Sequence, residues 1–391
     1  MASQASPVTD AAPNPAAVRD AGGSLQVVAA PWPQSDDDAF RARWDTLAAR
    51  AAEPNPFLES WCLLPALRAL DPRSRAALLR FEDQRELAGV MPLVRSRRYY
   101  RWPFPHLATW SHANAFLGAP LVAAGRERAF WQALLAWADR HAGLGLFLHL
   151  TDLPLDGPLH GALTAVLADQ RRLHGVVLRS ERAMLASNET PEAYFAASLS
   201  GKKRKELRRQ FARLSELGTP TFVREHGAEG LDAWTDQFLA LEAGGWKGAA
   251  GSALASQPET AALFRETLAG AAARGKLERL ALRLDGQPLA MLATFLTPPG
   301  AFSYKTAFDE SHARFSPGVQ LQCENLLMLD HAEIAWSDSC AAAGHPMIDH
   351  IWRERRAVGH LSIAIGGRLR RALFGRILAA ELGRGARRAA T

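Results

Sequence analysis

The chain has few cysteines, no long apolar run and no secretion signal. Its 391 residues include three cysteines, Cys62, Cys323 and Cys340, which are too far apart for a zinc ribbon or a Cys-x-x-Cys redox pair. An odd, sparse cysteine count suits a reducing compartment. No apolar stretch approaches the roughly 20 residues of a membrane-spanning helix, and residues 1–23 lack a basic stretch followed by an apolar one. These absences predict a cytoplasmic protein with a disordered tail at 1–23.

Several catalytic signatures are also missing. The sequence has no Gly-x-Ser-x-Gly elbow, no P-loop, no His-Glu-x-x-His and no dinucleotide-binding glycine fingerprint in a strand–helix context. The motifs therefore give no support to a serine hydrolase, a P-loop ATPase or a Rossmann oxidoreductase. No set of cysteines and histidines has tetrahedral metal spacing, so no metal site is predicted.

Positive charge is concentrated in two short segments. The formal net charge is +6, yet residues 202–213 (KKRKELRRQFAR) carry +6 and residues 366–391, with seven arginines and Glu381, carry another +6. The rest of the chain is therefore acidic. The first segment is read either as a solvated helix face or as a contact for phosphates. The second predicts a basic amphipathic helix that packs on its own protein, with peripheral contact to a membrane surface as the alternative.

Strand and helix patterns alternate along the chain, which predicts an α/β protein with a mixed sheet. A similar order of elements begins again at Thr190, which with Pro191 is typical of a helix start. Residues 78–88 (LLRFEDQRELA) resemble residues 281–290 (ALRLDGQPLA), each read as a hairpin. We therefore predict two similar units, at 24–186 and 187–365, followed by the basic tail at 366–391. A helix is also expected in the stretch that ends at Arg356.

Three polar segments are candidates for the site. The first, 301–329, contains Ser316-Pro317-Gly318 before a helix, where free backbone N–H groups either bind a phosphate or are capped in the ordinary way. The second, LEAGGWKGAAGSA, carries Glu242, Trp246 and Lys247 in a glycine-rich loop that either closes over a substrate or is a plain surface loop. The third, 338–356, crowds Asp338, His345, Asp349, His350 and Arg353 together. There, Asp349 and Arg353 have the spacing of a helical ion pair.

Five motifs occur in order over residues 190–360: SGKKRKELRRQFARLSELG, LEAGGWKG, LRLDGQPLAMLATFL, FSYKTAFDESHARFSPGVQL and HPMIDHIWRERR. This pattern resembles the GNAT-type acetyltransferase-like domain of the CelD-like, cellulose-biosynthesis-associated proteins, which are relatives of the FemABX peptidyltransferases. The resemblance implies a tandem GNAT-like acyl-CoA N-acyltransferase fold with a degenerate first unit.

The resemblance also implies the roles of particular residues. Glu242 or Asp309 would be the catalytic base, and the donor would lie against the helix start. Substrate would contact the loops around it. The implied donor-binding residues are Arg314, Ser316, Pro317, Gly318 and Val319, and the implied substrate contacts are Trp246, Lys247, Lys305, Asp338 and His345.

The implied activity is transfer of an acyl group from acetyl-CoA or another acyl-CoA to an amine acceptor, such as a glycan or a peptidoglycan precursor, in exopolysaccharide or cell-envelope biosynthesis. The segment RFSPGVQ has one glycine where the family signature, Arg/Gln-x-x-Gly-x-Gly/Ala, has two small residues. This departure leaves open a FemABX-type aminoacyl-tRNA donor, with tRNA as partner. A catalytically inert GNAT-fold binding protein is the remaining alternative.

Overall fold

The structure, a computed structural model, describes residues 16–18, 26–83 and 86–389. Apart from Ala16–Val18, the predicted tail at 1–23 lies outside the described residues. The chain divides into two compact units: unit 1 comprises Met1–Ser180 with Ala357–Thr391, and unit 2 comprises Glu181–Arg356.

Strands and helices alternate through both units. The strands of the described residues are β1 (Ala16–Val18), β2 (Gln26–Pro31), β3 (Ala77–Asp83), β4 (Glu86–Ser96), β5 (His106–Thr109), β6 (Leu121–Val122), β7 (Phe147–Pro154), β8 (His174–Leu185), β9 (Pro220–His226), β10 (Leu277–Leu284), β11 (Gln287–Thr297), β12 (Gly300–Phe308), β13 (Trp336–Asp338) and β14 (Glu354–Ala364). The α-helices are α1 (Asp38–Ala49), α2 (Ser60–Leu70), α3 (Glu127–His141), α4 (Pro158–Asp169), α5 (Pro191–Ser198), α6 (Gly201–Ser215), α7 (Leu231–Ala243), α8 (Trp246–Ala249), α9 (Pro258–Ala272), α10 (Pro317–Glu324) and α11 (Arg368–Ala389).

Unit 1 is built on a mixed sheet in the order β1-β2-β3-β4-β5-β7-β14, with β6 paired to β4. Its neighbouring strands are antiparallel except for the parallel pair β5 and β7. A parallel pair needs a long crossover, and here α3 supplies it. The core under α3 and α4 includes the fully buried Phe81, Phe130, Trp131 and Leu163.

Unit 2 repeats this plan. Its strands follow the order β8-β13-β12-β11-β10-β9, with β12 and β13 as the parallel pair and α10 within the crossover. In both units a first strand leads through helices to an antiparallel hairpin, a third strand, a crossover and a parallel strand. The two hairpins, β3–β4 and β10–β11, are the segments whose sequences resemble each other. The predicted mixed α/β fold is therefore confirmed.

Local sequence explains most of the boundaries in unit 2. The Thr190 hydroxyl accepts a hydrogen bond from the Ala193 N–H at 3.3 Å, so α5 starts at the predicted N-cap. The helix stops before Gly201 because Ser200 caps a new helix, α6, by accepting from the Lys203 N–H. In the β10–β11 turn, Asp285 and Gly286 both have positive φ, at 48° and 81°, as a two-residue hairpin of this type requires.

Two local predictions are wrong. The stretch before Arg356 forms turns rather than a helix, so Asp349 and Arg353 do not form a helical ion pair. Arg353 pairs with Glu189 and lies 4.1 Å over the Tyr194 ring, while Asp349 accepts a hydrogen bond from the Gly344 N–H. The glycine-rich segment after α7 also contains one helical turn, α8, instead of an open loop. Tertiary contacts outweigh the weak local preference in both places.

The C-terminal segment forms the predicted amphipathic helix, α11, and one face of it packs on unit 1. Phe374 and Leu378 are buried with Tyr99, Phe147 and Ala364 in one hydrophobic cluster. The domain boundary predicted at 365 falls beyond the unit boundary, because β14 pairs with β7 of unit 1 from Val358 onwards.

Candidate functional site

Glu242 lies in the last turn of α7, where its carboxylate is buried beneath α8. The apolar face of α7, which includes Trp234 and Phe238, packs inward and fixes the helix. Oε1 of Glu242 accepts a hydrogen bond from Nζ of Lys247 at 2.7 Å, and Oε2 accepts one from the Leu254 N–H at 2.8 Å. Nζ of Lys247 also lies 3.4 Å from the carbonyl oxygen of Thr306 on β12. These contacts tie α7, α8 and β12 together around one ion pair.

Lys305 on β12 faces this ion pair. The pKa of Lys305 is lowered to about 8, mainly by burial and also by the positive charge of Lys247, while the negative charge of Glu242 opposes the shift. The ladder between β11 and β12 shifts register here, because Ala293 pairs with Lys305 while Thr294 pairs with Ser303. A β-bulge of this kind changes the direction of side chains and is common next to active sites. A lysine with this pKa exchanges its proton near neutral pH.

His345 approaches the same cluster from the turn after β13. Burial lowers the pKa of His345, and the charge of Lys247 acts in the same direction, while Asp349 opposes both. Its Nδ1 atom is buried without a hydrogen-bond partner. A neutral imidazole near Lys247 is therefore part of the cluster at pH 7. We call Glu242, Lys247, Lys305 and His345 the lysine cluster.

Trp246 and Asp309, also predicted at the site, have other surroundings. The Trp246 side chain is 60% exposed, and its backbone N–H donates to Oε1 of Glu310 at 2.7 Å. Asp309 caps the short 3-10 helix after β12 by accepting from the Ser311 N–H, and its Oδ2 lies 2.7 Å from Nδ1 of His312. Burial raises the pKa of Asp309, but these hydrogen bonds outweigh it and bring the pKa below the usual value. Such a carboxylate is a poor proton acceptor at neutral pH.

The predicted donor-binding residues surround the start of α10. Ser316 adopts a left-handed conformation (φ 53°) and its carbonyl accepts from the Gln320 N–H at 3.0 Å. The N–H groups of Gly318 and Val319 are in the first turn, where the helix itself offers no acceptor. Arg314 is exposed, with its guanidinium 4.7 Å from the Phe315 ring. Gly318 is buried, and a Cβ added to it would meet Sδ of Met347 at 2.6 Å.

Asp338, predicted to contact substrate, is buried in a structural ion-pair network. Its Oδ2 accepts from Arg182 at 2.7 Å and from Arg356 at 3.0 Å, and its Oδ1 accepts from the Cys340 N–H. All three charged side chains are less than a tenth exposed. This network links β8, β13 and β14 and leaves Asp338 with no exposed surface.

Sequence reasoning missed three contributors to the site: the Thr306 carbonyl, the Cys340 thiol and the Met347 side chain. Burial raises the pKa of the Cys340 thiol, and Asp338 adds to the shift, so this cysteine is a neutral thiol in the folded protein. Cys340 and Met347 lie within the crowded 338–356 segment, but no spacing rule distinguishes them from its other members. Their roles depend on the turns that replace the predicted helix.

The described residues contain neither a cluster of metal ligands nor a membrane-spanning helix. Among the side chains that the structure describes, no group of three or more His, Cys, Asp or Glu residues is arranged to hold a metal ion. Of the helices in the described part of the chain, none combines the length and apolar character needed to cross a membrane.

Part of unit 2 is similar to a known protein family. The model of the acetyltransferase (GNAT) domain family matches residues 201–338, which contain Glu242, Lys247 and Lys305. No curated protein matches the chain significantly.

Solved structures with the same fold cover most of the chain. A FemX structure covers 82% of this chain and 95% of its own, with 10% identity and a TM-score of 0.53. A conserved protein of unknown function from Bacteroides thetaiotaomicron covers 84% and 98%, with 12% identity and a TM-score of 0.52. The C-terminal domain of a putative lysylphosphatidylglycerol synthetase from Agrobacterium fabrum covers 83% and 90%, with 14% identity and a TM-score of 0.50.

At these identities the solved structures show the fold alone. The family model covers the segment that holds Glu242, Lys247 and Lys305 of the lysine cluster. The chain thus has a mixed α/β, GNAT-like fold, and residues 201–338 are similar to the acetyltransferase (GNAT) domain family.

Proposed function

We propose that the protein is an N-acyltransferase of the CelD-like type, which moves an acyl group from acyl-CoA to an amine acceptor in exopolysaccharide or cell-envelope biosynthesis. The observation that carries this proposal is the lysine cluster within the acetyltransferase-type domain. There a lysine with a pKa of about 8 faces the Glu242–Lys247 ion pair.

Acyl transfer to an amine needs a group that takes a proton from the attacking nitrogen. The new C–N bond forms as the C–S bond to the donor breaks, and the leaving thiolate receives a proton. Lys305, in its neutral form, is the proton acceptor that the pKa favours. Glu242, one of the two carboxylates predicted as base, has both oxygens engaged, so we assign it the placement of Lys247. Asp309 acts as a cap.

The residues at the start of α10 fit an anionic donor. The first-turn N–H groups of Gly318 and Val319 and the exposed guanidinium of Arg314 supply donors and positive charge, to which the helix dipole adds. When bound, acyl-CoA would supply the activated thioester. The residues of the chain would hold its phosphates, exclude water around Lys305 and orient the acceptor amine. Trp246, exposed beside the cluster, would cover that amine.

A second candidate is a FemABX-type transferase with aminoacyl-tRNA as donor. The observation that favours it is α6, where Lys202, Lys203 and Arg208 are exposed and Glu206 is the acid among seven basic residues. A fully solvated row of cations suits a phosphate backbone. An inert binding protein is the third candidate, and a buried lysine with a shifted pKa has no evident use in it.

Isothermal titration of the full chain with acetyl-CoA, a longer acyl-CoA and tRNA separates the three. We expect acyl-CoA to bind and the affinity to fall about tenfold or more in Arg314→Ala. Arg265→Ala on α9, which removes an exposed arginine paired with Asp236, is the matched control and should bind normally. Binding of tRNA alone, with a steep salt dependence that weakens in Lys202→Gln/Lys203→Gln, would replace the proposal by the second candidate. If neither ligand binds, the remaining candidate is the inert binding protein.

A further inference from the structure

A second surface, within unit 1, combines exposed apolar side chains with arginines. The loop between β4 and β5 contains Tyr100, which is 62% exposed, and Trp102, which is 38% exposed. Arg97, Arg98 and Arg101 are exposed in the same loop, and the guanidinium of Arg101 lies 5.3 Å from the Trp102 ring. The role proposed for unit 2 uses none of these residues.

The loop is fixed to α11 by its buried member, Tyr99. The Tyr99 hydroxyl donates to the carboxylate of Glu381, with oxygen distances of 2.7 and 2.8 Å. The Tyr99 ring packs on Phe147, and Phe147 stacks on Phe374 of α11 at 5.3 Å. Phe104, at the far end of the loop, packs against the same cluster. The loop that carries the exposed aromatic residues therefore packs on the same part of unit 1 as the C-terminal helix.

The outer side of α11 carries exposed aliphatic side chains. Leu369 is 90% exposed and Leu373 is 45% exposed, one helical turn apart. Between them, Nη2 of Arg370 donates to the carbonyl of Gly143 at 2.8 Å. This contact brings Leu144, which is 83% exposed, beside the helix. We call Tyr100, Trp102, Leu144, Leu369 and Leu373 the docking surface.

The charge around the docking surface has one sign. Residues 95–105 and 366–383 contain eight arginines and one acid, Glu381, which is bonded to Tyr99. Asp139 of α3 neutralises part of this charge, since it pairs with Arg371 and also with Arg172. Arg368 and Arg376 remain on the exposed side of α11. The surface is thus cationic and apolar together.

We propose that the docking surface binds the surface of an anionic lipid bilayer. Tryptophan and tyrosine favour the headgroup region, arginines pair with anionic headgroups, and leucines on a basic helix enter the acyl boundary. A nucleic acid would use the arginines and aromatic rings but offers nothing to two aliphatic side chains exposed at 90% and 83%. This inference goes beyond the proposed acyl transfer and does not depend on it.

Cosedimentation of the full-length protein with vesicles tests the proposal. We expect binding to phosphatidylcholine vesicles that contain 30% phosphatidylglycerol and at least tenfold weaker binding to pure phosphatidylcholine. The variant Leu369→Gln/Leu373→Gln keeps every arginine, and we expect its affinity for the anionic vesicles to fall about tenfold or more. Because both side chains are exposed, its fold and thermal unfolding should be unchanged.

Two control variants make the result specific. Leu217→Gln removes a leucine of unit 2 that is 50% exposed and lies outside the docking surface, so it should bind vesicles normally. Lys202→Gln/Lys203→Gln removes charge from α6 and should also leave vesicle binding within about twofold. Trp102→Ala should weaken binding as the leucine variant does.

Three results would overturn the proposal. One is equal binding to neutral and anionic vesicles, or to neither. Another is full vesicle binding by Leu369→Gln/Leu373→Gln, which would leave a purely electrostatic contact. The third is displacement of the protein from vesicles by tRNA together with equal tRNA affinity of the leucine variant, which would identify the surface as a nucleic-acid contact.

Discussion

Nζ of Lys247 donates a 2.7 Å hydrogen bond to Oε1 of Glu242 across the junction of α7 and α8. The side chain of Glu242 is 3% exposed and that of Lys247 is 29% exposed, so the pair is largely shielded from water. The other oxygen of Glu242 accepts from the Leu254 N–H, which holds the segment after α8. One carboxylate therefore fixes the backbone around the lysine cluster and places one of its cations.

Removing this carboxylate should reduce both activity and stability. In Glu242→Gln the amide still accepts from the Leu254 N–H, but the charge that holds Lys247 is lost, and we expect the free energy of unfolding to fall by about 1–3 kcal/mol. We also expect acyl transfer to fall at least tenfold. Chemical denaturation and a steady-state assay measure the two effects. A double-mutant cycle with Lys247→Met should give a coupling energy of about 0.5–3 kcal/mol, and a value near zero would contradict the ion pair.

The pKa of Lys305 predicts a pH dependence of stability. The folded protein holds Lys305 at a pKa of about 8, below the unfolded value of 10.5, so the unfolded state binds more protons between these pH values. Burial of the charged amine therefore lowers the free energy of unfolding by its full amount below pH 8. This destabilisation disappears as the pH rises to 10.5. Relative to Lys305→Met, the wild type should gain about 1–3 kcal/mol of unfolding free energy over this window. Denaturation of both proteins from pH 7 to pH 10 measures the gain, and parallel curves would contradict the shift. Lys202→Met, at an exposed site, should track the wild type.

The same lysine predicts a pH dependence of the reaction. If Lys305 accepts the proton, kcat/KM should rise tenfold per pH unit below about pH 8 and level off above it. Lys305→Arg keeps the positive charge but cannot lose its proton, so the rate should fall at least a hundredfold and lose its dependence on this ionisation. A variant that retains the wild-type pH profile would remove Lys305 from the proton transfer.

Gly318 and Met347 predict a local packing constraint at the start of α10. A Cβ on residue 318 would lie 2.6 Å from Sδ of Met347, so Gly318→Ala must displace that side chain. We expect a cost of about 1 kcal/mol in stability and weaker donor binding, since the methionine moves at the proposed donor site. Met347→Ala should relieve the clash, so the double variant should bind better than Gly318→Ala alone in a titration with acetyl-CoA. Additive losses in the double variant would count against this contact.

Asp338→Asn tests whether Asp338 acts in the fold or on substrate. The carboxylate is 0% exposed and accepts hydrogen bonds from Arg182 and Arg356, so its loss leaves two buried cations without their counter-charge. We expect the free energy of unfolding to fall by about 3 kcal/mol or more. The KM for the acceptor should stay within about twofold in the protein that folds. A large rise in KM with little loss of stability would instead indicate that Asp338 contacts the substrate.

Much of the fold follows from local sequence patterns. Continuous apolar runs indicate β3, β4, β10 and β11, and the turn residues Asp285-Gly286 fix the second hairpin. Thr190 caps α5 where its side chain predicts a helix start. The similarity of the two hairpins indicates the repeated plan. The stretch before Arg356 could not be predicted in this way, because its turns depend on contacts of Arg353 with Glu189 and Tyr194, which are more than 150 residues away in sequence.

The sequence predicted which residues belong to the site but not how they are arranged. The sequence indicates Glu242 and Lys247 from one segment and Lys305 and His345 from two others, and the structure brings these four together. The same kind of segment also suggests Asp309 and Asp338, yet one is a helix cap and the other is neutralised by two arginines. Residue type and local spacing do not distinguish a carboxylate at a site from one in a structural network.

Charge shows the same division between sequence and structure. The sequence by itself determined that two basic segments, each of +6, stand in an otherwise acidic chain, because formal charge depends on composition alone. It also determined that the last segment is an amphipathic helix, since helical periodicity is local. Only the tertiary structure decided which face of α11 is buried against Tyr99 and Phe147, and which of its leucines stay exposed. Burial and pKa depend on neighbours that are distant in sequence, and those neighbours are fixed only when the chain folds.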